Sequence, residues 1–257
     1  MSSLPPVTPP GLPHDSAVEL PVVGQCWQRV YQVESAALDP DGQRTWRARR
    51  HDTNEPVAIL ARHCTDPVRD QVWALLHSLP LPALQRTHEA YQAGSLRLEV
   101  YAAAPTRSLR DWRRTQPTLE PALVPPLVSA LAEAIQALHQ HSIVHLNIRP
   151  DTIFLVDTPG SLHPVLAGLD RATLVAQPGL IPIEVDPFYA PPEAAGLSRH
   201  SPGETLHAWD WWSLGRVLQE LILGQHVLGL LLDRDVATAR FELHDAAEGL
   251  LLEQTAG

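Results

Sequence analysis

The stretch that decides the fold is residues 145–155, which read His-Leu-Asn-Ile-Arg-Pro-Asp-Thr-Ile-Phe-Leu. The segment before it, Pro126 to His141, opens with proline, which suits a first helical turn, and continues with apolar residues at helical spacing. Burying five such side chains would contribute roughly 1.5–3 kcal/mol each before conformational entropy is subtracted. We therefore predict a central helix that leads through Ile143 and Val144 into the quoted stretch.

Three further segments follow in order. Val165–Asp170 is apolar and ends Gly-Leu-Asp, Val185–Glu193 ends Tyr-Ala-Pro-Pro-Glu, and Asp210–Leu221 begins Asp-Trp-Trp-Ser-Leu-Gly. With residues 145–155, this series resembles the eukaryotic-type (Hanks-type) Ser/Thr protein kinases, and its wording looks closest to bacterial members. The framework positions of that family are occupied here by His145, Pro150, Tyr189, Pro192, Glu193, Asp210, Trp212 and Gly215.

The resemblance runs from about Gly24 to Gly224 and implies an α+β fold of two lobes. We expect a kinase-like N-lobe over residues 21–104, with a small antiparallel β-sheet and one helix. A mainly helical C-lobe is expected over residues 105–257, reduced or truncated because only some thirty residues follow Gly224. Residues 1–20 carry five prolines and are predicted to be a disordered arm.

Within the N-lobe, short β-prone runs are separated by turn residues, which predicts three strands at Val30–Val33, Thr45–Arg49 and Pro56–Leu60. Asp66–Leu79 has apolar residues at helical spacing and predicts the N-lobe helix. The family places a glutamate on this helix to pair with a strand lysine, and none occurs here. Since the lysine position holds Leu60, we expect neither partner of that pair to be present.

The positions that carry chemistry in the family hold other residues here. Leu60 replaces the strand lysine, Asn147 the catalytic aspartate, Thr152 the magnesium-binding asparagine, and Gly168 the magnesium-binding aspartate. The glycine-rich loop is degenerate as well, with Leu38, Pro40 and Gln43 at its glycine positions. The resemblance therefore implies a pseudokinase that is not an enzyme and that needs neither ATP nor magnesium.

We accordingly predict a catalytically inactive domain that acts as a protein-binding, scaffolding or allosteric regulatory module. Its partner would be another protein, or the remainder of a longer chain, bound through the C-lobe. One alternative is a sensor that still binds a nucleotide or small ligand in a vestigial cleft near Ala58, Phe154 and Arg149. Another is an atypical nucleotide-dependent transferase, for which Asp151 and Asp170 are the obvious acids.

The composition of the chain argues against several kinds of partner and site. A formal charge of -10 argues against a nucleic-acid partner, and no apolar run approaches the ~20 residues needed to span a bilayer. Two cysteines and the absence of a secretory signal indicate a cytoplasmic protein. The histidines at 139, 141 and 145 cross a helix end into a strand, which disfavours a zinc site. The three tryptophans at 209, 211 and 212 could form a partner-binding surface, but at least Trp212 stands at a family core position and is expected in the core.

Overall fold

The computed structural model describes residues 19–38, 43–63, 67–79, 81–105, 107–116, 118–158, 161–175, 186, 188–192, 194 and 203–224. The chain divides into two compact units. Unit 1 comprises residues 1–81 and 85–104, and unit 2 comprises residues 82–84 and 105–257. The architecture is that of a protein-kinase-like α+β fold, as predicted.

In its described residues, unit 1 forms an antiparallel sheet of six strands with one helix, α1 (Pro67–His77). The strand order is β1-β2-β3-β4-β6-β5. The strands are β1 (Cys26–Trp27), β2 (Tyr31–Leu38), β3 (Arg44–Arg50), β4 (Pro56–His63), β5 (Thr87–Ala93) and β6 (Leu96–Ala102). The three predicted strands correspond to β2, β3 and β4, and the predicted helix corresponds to α1.

Alternation along the strands gives this sheet two different faces. One face buries an apolar cluster that includes Trp46, Ile59, Leu98 and Val100. On β6, Glu99 lies between Leu98 and Val100 and therefore belongs to the other face. The first face carries a cavity, and the second face carries a buried ion pair.

Unit 2 is built on helices α2 (Leu109–Thr115), α3 (Val124–Gln140) and α4 (Gly203–Leu223). Two small antiparallel pairs accompany them: β7 (Ile143–Val144) with β10 (Thr173–Leu174), and β8 (Ile153–Thr158) with β9 (Ser161–Leu166). Short 3-10 helices occupy Pro121–Leu123 and Leu169–Arg171. The predicted central helix is α3, which ends just before β7 and so delivers the chain to His145.

The segment Pro121–Gln140 is the one helical span among the described residues whose length and hydropathy would suit a membrane crossing. Helix α3, which makes up most of it, buries a face in unit 2 through Leu127, Leu131, Ala134, Ile135 and Leu138. A buried core helix of a soluble domain passes the same test of length and hydropathy. This span is therefore weak evidence for a membrane segment.

Some predictions fall on residues outside those described, and one core prediction is wrong. Residues 1–18 of the predicted arm, Pro40 and Glu193 lie outside the described residues. Trp212 was expected in the core but is 42% exposed, whereas Trp209 is 2% exposed. On a helix, residues three apart share a face, so Trp209 and Trp212 were both plausible core residues. The buried side of α4 instead runs through Trp209, Asp210, Ser213 and Val217.

Candidate active site

The stretch after β7 is held by the carboxylate of Asp210 on α4, which is fully buried. Oδ2 accepts a hydrogen bond from the backbone N–H of His145 at 2.8 Å, and Oδ1 accepts one from Leu146 at 2.9 Å. Nε2 of His139 lies 2.9 Å from Oδ2. Leu146 has φ +57°, a left-handed conformation that costs a non-glycine residue roughly 1–2 kcal/mol. The bond from its N–H to Asp210 helps to hold it there.

His145 itself is an internal part of this loop. Its Nδ1 accepts the backbone N–H of Asn147 at 3.2 Å, so Nε2 carries the proton and donates to the carbonyl of Ala167 at 3.0 Å. Burial lowers the pKa of His145, although the nearby charge of Asp210 acts in the opposite direction. The imidazole is therefore a neutral side chain that joins the loop to the end of β9.

The structure brings Asn147, Thr152 and Gly168 together. Thr152 Oγ1 donates to the carbonyl of Asn147 at 2.7 Å and accepts the N–H of Arg149 at 3.1 Å. Asn147 Nδ2 donates to the carbonyl of Gly168 at 3.4 Å. Gly168 has φ +80°, and a Cβ placed there would lie 2.8 Å from Thr152 Cγ2. The residues at these three positions therefore depend on one another.

A second cluster surrounds Arg110 of α2. Its guanidinium contacts Asp151 at 2.8 Å, Glu220 of α4 at 2.9 Å and the hydroxyl of Tyr189 at 2.8 Å. The Tyr189 hydroxyl donates in turn to Glu220. Burial and the neighbouring Glu220 raise the pKa of Tyr189, so the phenol stays protonated. Sequence reasoning missed Arg110, because nothing in the sequence around it indicates the three distant residues that it contacts.

Other residues named from the sequence can be placed within their own units. Pro150 is buried, and its carbonyl accepts the N–H of Arg110 at 3.3 Å. Arg149 lies 3.6 Å from Asp186. Pro192 is half-buried, and Phe154 lies on β8, also half-buried. In unit 1, Ala58 and Leu60 lie on β4 and are half-buried.

In unit 1, α1 is joined to the sheet by an ion pair that the sequence analysis did not foresee. Arg69 of α1 contacts both oxygens of Glu99 on β6, with Nε–Oε1 at 2.6 Å and Nη2–Oε2 at 2.7 Å. Arg97 and the Tyr101 hydroxyl also donate to Glu99. In the sheet, Glu99 is the register partner of Leu60. The sequence analysis expected neither the strand lysine nor the helix glutamate and did not foresee this pair, in which the helix supplies the cation and the strand the carboxylate.

Burial alone would raise the pKa of Glu99, but the charge of Arg69 and the hydrogen bonds from Arg69 and Tyr101 lower it to about 2. The carboxylate is therefore ionised at neutral pH. The chain contains no lysine, so its strongly basic side chains are all arginine. Any phosphate contact by such a residue is thus made by a guanidinium, which keeps its charge when buried.

The described residues do not offer magnesium a cluster of oxygen ligands. No group of three His, Cys, Asp or Glu side chains suited to a metal occurs within them. The Thr152 hydroxyl is bonded within its own loop, Gly168 has no side chain, and Asp151 is paired with Arg110. Magnesium prefers carboxylate oxygens, so the side chains at these positions do not fit it.

Comparison with known families decides the identity of the fold. Residues 49–244, well over half of the chain, match the family described as protein kinase domain. The chain belongs to the protein kinase family. Among curated proteins, this kinase domain is 25% identical over 206 residues to the serine/threonine-protein kinase PkaA of Streptomyces coelicolor, covering 72% of this chain and 37% of PkaA.

Other relatives agree with this assignment. Serine/threonine-protein kinase 1 of Lymantria dispar multicapsid nuclear polyhedrosis virus is 29% identical over 156 residues, covering 60% of this chain and 53% of that protein. The solved structure of the Cydia pomonella granulovirus kinase PK-1 matches with a TM-score of 0.61 at 15% identity, covering 77% of this chain and 70% of that one. This kinase domain spans little more than a third of PkaA and about half of the viral relative.

Two predictions from the sequence are overturned by these comparisons. The prediction that the chain is not an enzyme is wrong, because the chain belongs to the kinase family and its relatives are named as kinases. The prediction that it needs no cofactor is wrong as well, since kinase domains normally use ATP and magnesium. Both predictions treated each replaced side chain as indispensable. Phosphoryl transfer, however, depends mainly on positioning and on the electrostatics of the whole site.

Proposed function

We propose that this kinase domain is a regulatory module that binds a protein partner through the outward side of α4. Seven outward positions share that side: Ala208, Trp211, Trp212, Gly215, Gln219, Ile222 and Leu223, called here the α4 stripe. At 3.6 residues per turn they fall within roughly 120° of the helix circumference and extend over about 22 Å. Every one of these positions is exposed and uncharged.

The composition of the α4 stripe supports this proposal. Eight large apolar side chains are exposed among the described residues, and four of them lie in the stripe. Single exposed apolar residues are ordinary on a protein surface, whereas a contiguous group marks an interaction site. Tryptophan in particular dominates the binding energy of many interfaces. The partner that fits is a cytoplasmic protein that presents an apolar helix along the stripe.

The test is site-specific photo-crosslinking in the cell, with p-benzoylphenylalanine placed at Trp212. The matched control carries the same group at Gln136, an exposed position on α3. We expect a discrete cross-linked product with a second protein from position 212, absent from position 136 and reduced by Trp211→Ser. An intramolecular product would show that residues 225–257 cover the stripe, which would overturn the proposal, as would identical products from both positions.

We propose phosphoryl transfer from ATP to a protein hydroxyl as a second function. Family membership supports it, and the loop holds Asn147 in place through a hydrogen bond to the carbonyl of Gly168. The side-chain oxygen of Asn147 can accept a hydrogen bond from an acceptor hydroxyl, although an amide cannot take up its proton. Asn147 can therefore orient the hydroxyl but cannot act as a general base, whose contribution to the rate is typically 10²–10⁴-fold.

Two measurements test this second function. Thermal unfolding with and without millimolar ATP and magnesium detects binding, since a ligand at about 100 times its Kd stabilises the folded state by about 2.7 kcal/mol. Transfer of the γ-phosphate to a generic protein substrate is then followed in the wild type and in Asn147→Asp. We expect Asn147→Asp to transfer phosphate at least about 100-fold faster. No transfer by either protein would overturn this candidate.

A further inference from the structure

The sheet of unit 1 carries a cavity of about 440 Å³ at the end of β3 and β4. It lies on the face opposite Glu99, where Trp46 and Ala61 line it. Three leucines at positions 20, 38 and 96 also line it. Its volume falls within the range of small-molecule sites, which are mostly apolar with a few convergent polar groups. The described residues that line this cavity belong to unit 1, whereas the α4 stripe belongs to unit 2.

Among the described residues that line the cavity, the ionisable ones are all basic. They are Arg44, Arg62 and His63, in a chain that is acidic as a whole. The guanidinium of Arg44 lies 6.0 Å from the ring centroid of Trp46, within the range of a cation–π contact. The positive charge of Arg62 also acts on Glu99, where it helps to lower the carboxyl pKa. Arg44 is exposed on β3 and is the cation best placed to meet a ligand.

We propose that this cavity binds a small organic anion with an apolar body, of the class of aromatic carboxylates. The carboxylate pairs with the Arg44 guanidinium, whose planar fork matches two carboxylate oxygens. The apolar body lies among the three leucines, against Ala61 and Trp46. No covalent step is involved, and the site requires neither ATP nor a protein partner.

The experiment is a calorimetric titration of the full chain with 2-naphthoate and with its uncharged analogue 2-naphthalenemethanol. Because one charge-assisted pair separates the two probes, we expect 2-naphthoate to bind at least about tenfold more tightly. Arg44→Met should weaken 2-naphthoate by a similar factor and leave 2-naphthalenemethanol nearly unchanged. Equal affinity for the two probes, or no heat from 2-naphthoate at millimolar concentration, would overturn the proposal.

Matched controls separate the site from the general charge of the protein. Arg47 is exposed on the same strand but lies outside the cavity lining, so Arg47→Met should leave the affinity for 2-naphthoate unchanged. Leu38 is 68% exposed at the cavity, and Leu38→Glu adds a repelling carboxylate where Leu38→Gln does not. We expect Leu38→Glu to bind at least about fivefold more weakly than Leu38→Gln. Equal losses within either pair of variants would place the anion elsewhere on the protein.

Discussion

Arg69 on α1 and Glu99 on β6 form a two-point ion pair inside unit 1, with both side chains almost completely buried. In the family that the sequence resembles, the helix carries a glutamate and the strand a lysine. Here the helix carries the cation, and the carboxylate lies on β6, the neighbour of β4 in the sheet. Leu60, at the lysine position, is the register partner of Glu99. Helix α1 is therefore joined to the sheet without any contribution from the side chain at position 60.

Arg69→Met should destabilise the protein strongly. Removing one member of a buried ion pair leaves the other without compensation, at a typical cost of about 3–5 kcal/mol. Because Arg97 and Tyr101 still donate to Glu99, we expect a value near the lower end, about 3 kcal/mol. The measurement is the free energy of unfolding from urea denaturation. Arg47→Met, an exposed change on β3, should stay within about 0.5 kcal/mol of the wild type, and equal effects of the two variants would contradict this account.

The same pair predicts a specific loss of stability in acid. The pKa of Glu99 is about 2 in the folded protein, well below the 4.5 of an unperturbed glutamate, so the unfolded state takes up a proton first as the pH falls. Its contribution is complete above about pH 4.5 and is lost progressively as the pH falls towards 2. Unfolding free energies measured between pH 5 and pH 3 should therefore fall more steeply for the wild type than for Glu99→Gln. Parallel curves for the two proteins would show that Glu99 does not titrate in this way.

Asp210→Asn should destabilise unit 2 far more than a similar change at the surface. Asp210 accepts two backbone N–H groups and contacts His139, whereas an asparagine would turn an NH₂ group towards one of these donors. The cost of such a buried unsatisfied group is about 1–3 kcal/mol. The control is Asp151→Asn, whose carboxylate is 45% exposed and should cost less than about 1 kcal/mol. A difference between the two variants too small to measure by urea denaturation would refute the role given to Asp210.

The parts of the fold that could be predicted from the sequence are those set by local patterns. Apolar spacing predicted α1 and α3, and turn residues separated the predicted strands that became β2, β3 and β4. Strand β5 was missed, because Thr-His-Glu-Ala-Tyr-Gln-Ala is too polar to stand out as a strand. It nevertheless forms by pairing with β6, which no local pattern could indicate.

In the candidate site too, some residues could be predicted from the sequence and others could not. Asp210 was among the framework positions that the family resemblance indicated. The partners of Arg110 and of Arg69 could not be predicted, because each contacts residues that are distant in the sequence, and a search for a helix glutamate could not find a helix arginine. The exposure of Trp212 depends on which side of α4 the rest of unit 2 covers. Whether the replaced side chains end catalysis could not be judged from the sequence, because that depends on the whole site rather than on any one position.

Two glycines of unit 2 should respond in opposite directions when they are changed to alanine. Gly168 has φ +80°, and an added Cβ would lie 2.8 Å from Thr152 Cγ2, so Gly168→Ala should lower the free energy of unfolding by about 2 kcal/mol or more. Gly215 lies inside α4 with open space around an added Cβ, so Gly215→Ala should raise it by roughly 0.5–1 kcal/mol. Thr152→Ser keeps the hydroxyl and removes the obstructing methyl group, so the double variant with Gly168→Ala should be more stable than the sum of the single effects predicts. Urea denaturation of the wild type, Gly168→Ala, Thr152→Ser and the double variant measures this coupling. Strict additivity would mean that the Thr152 methyl group does not obstruct a Cβ at position 168.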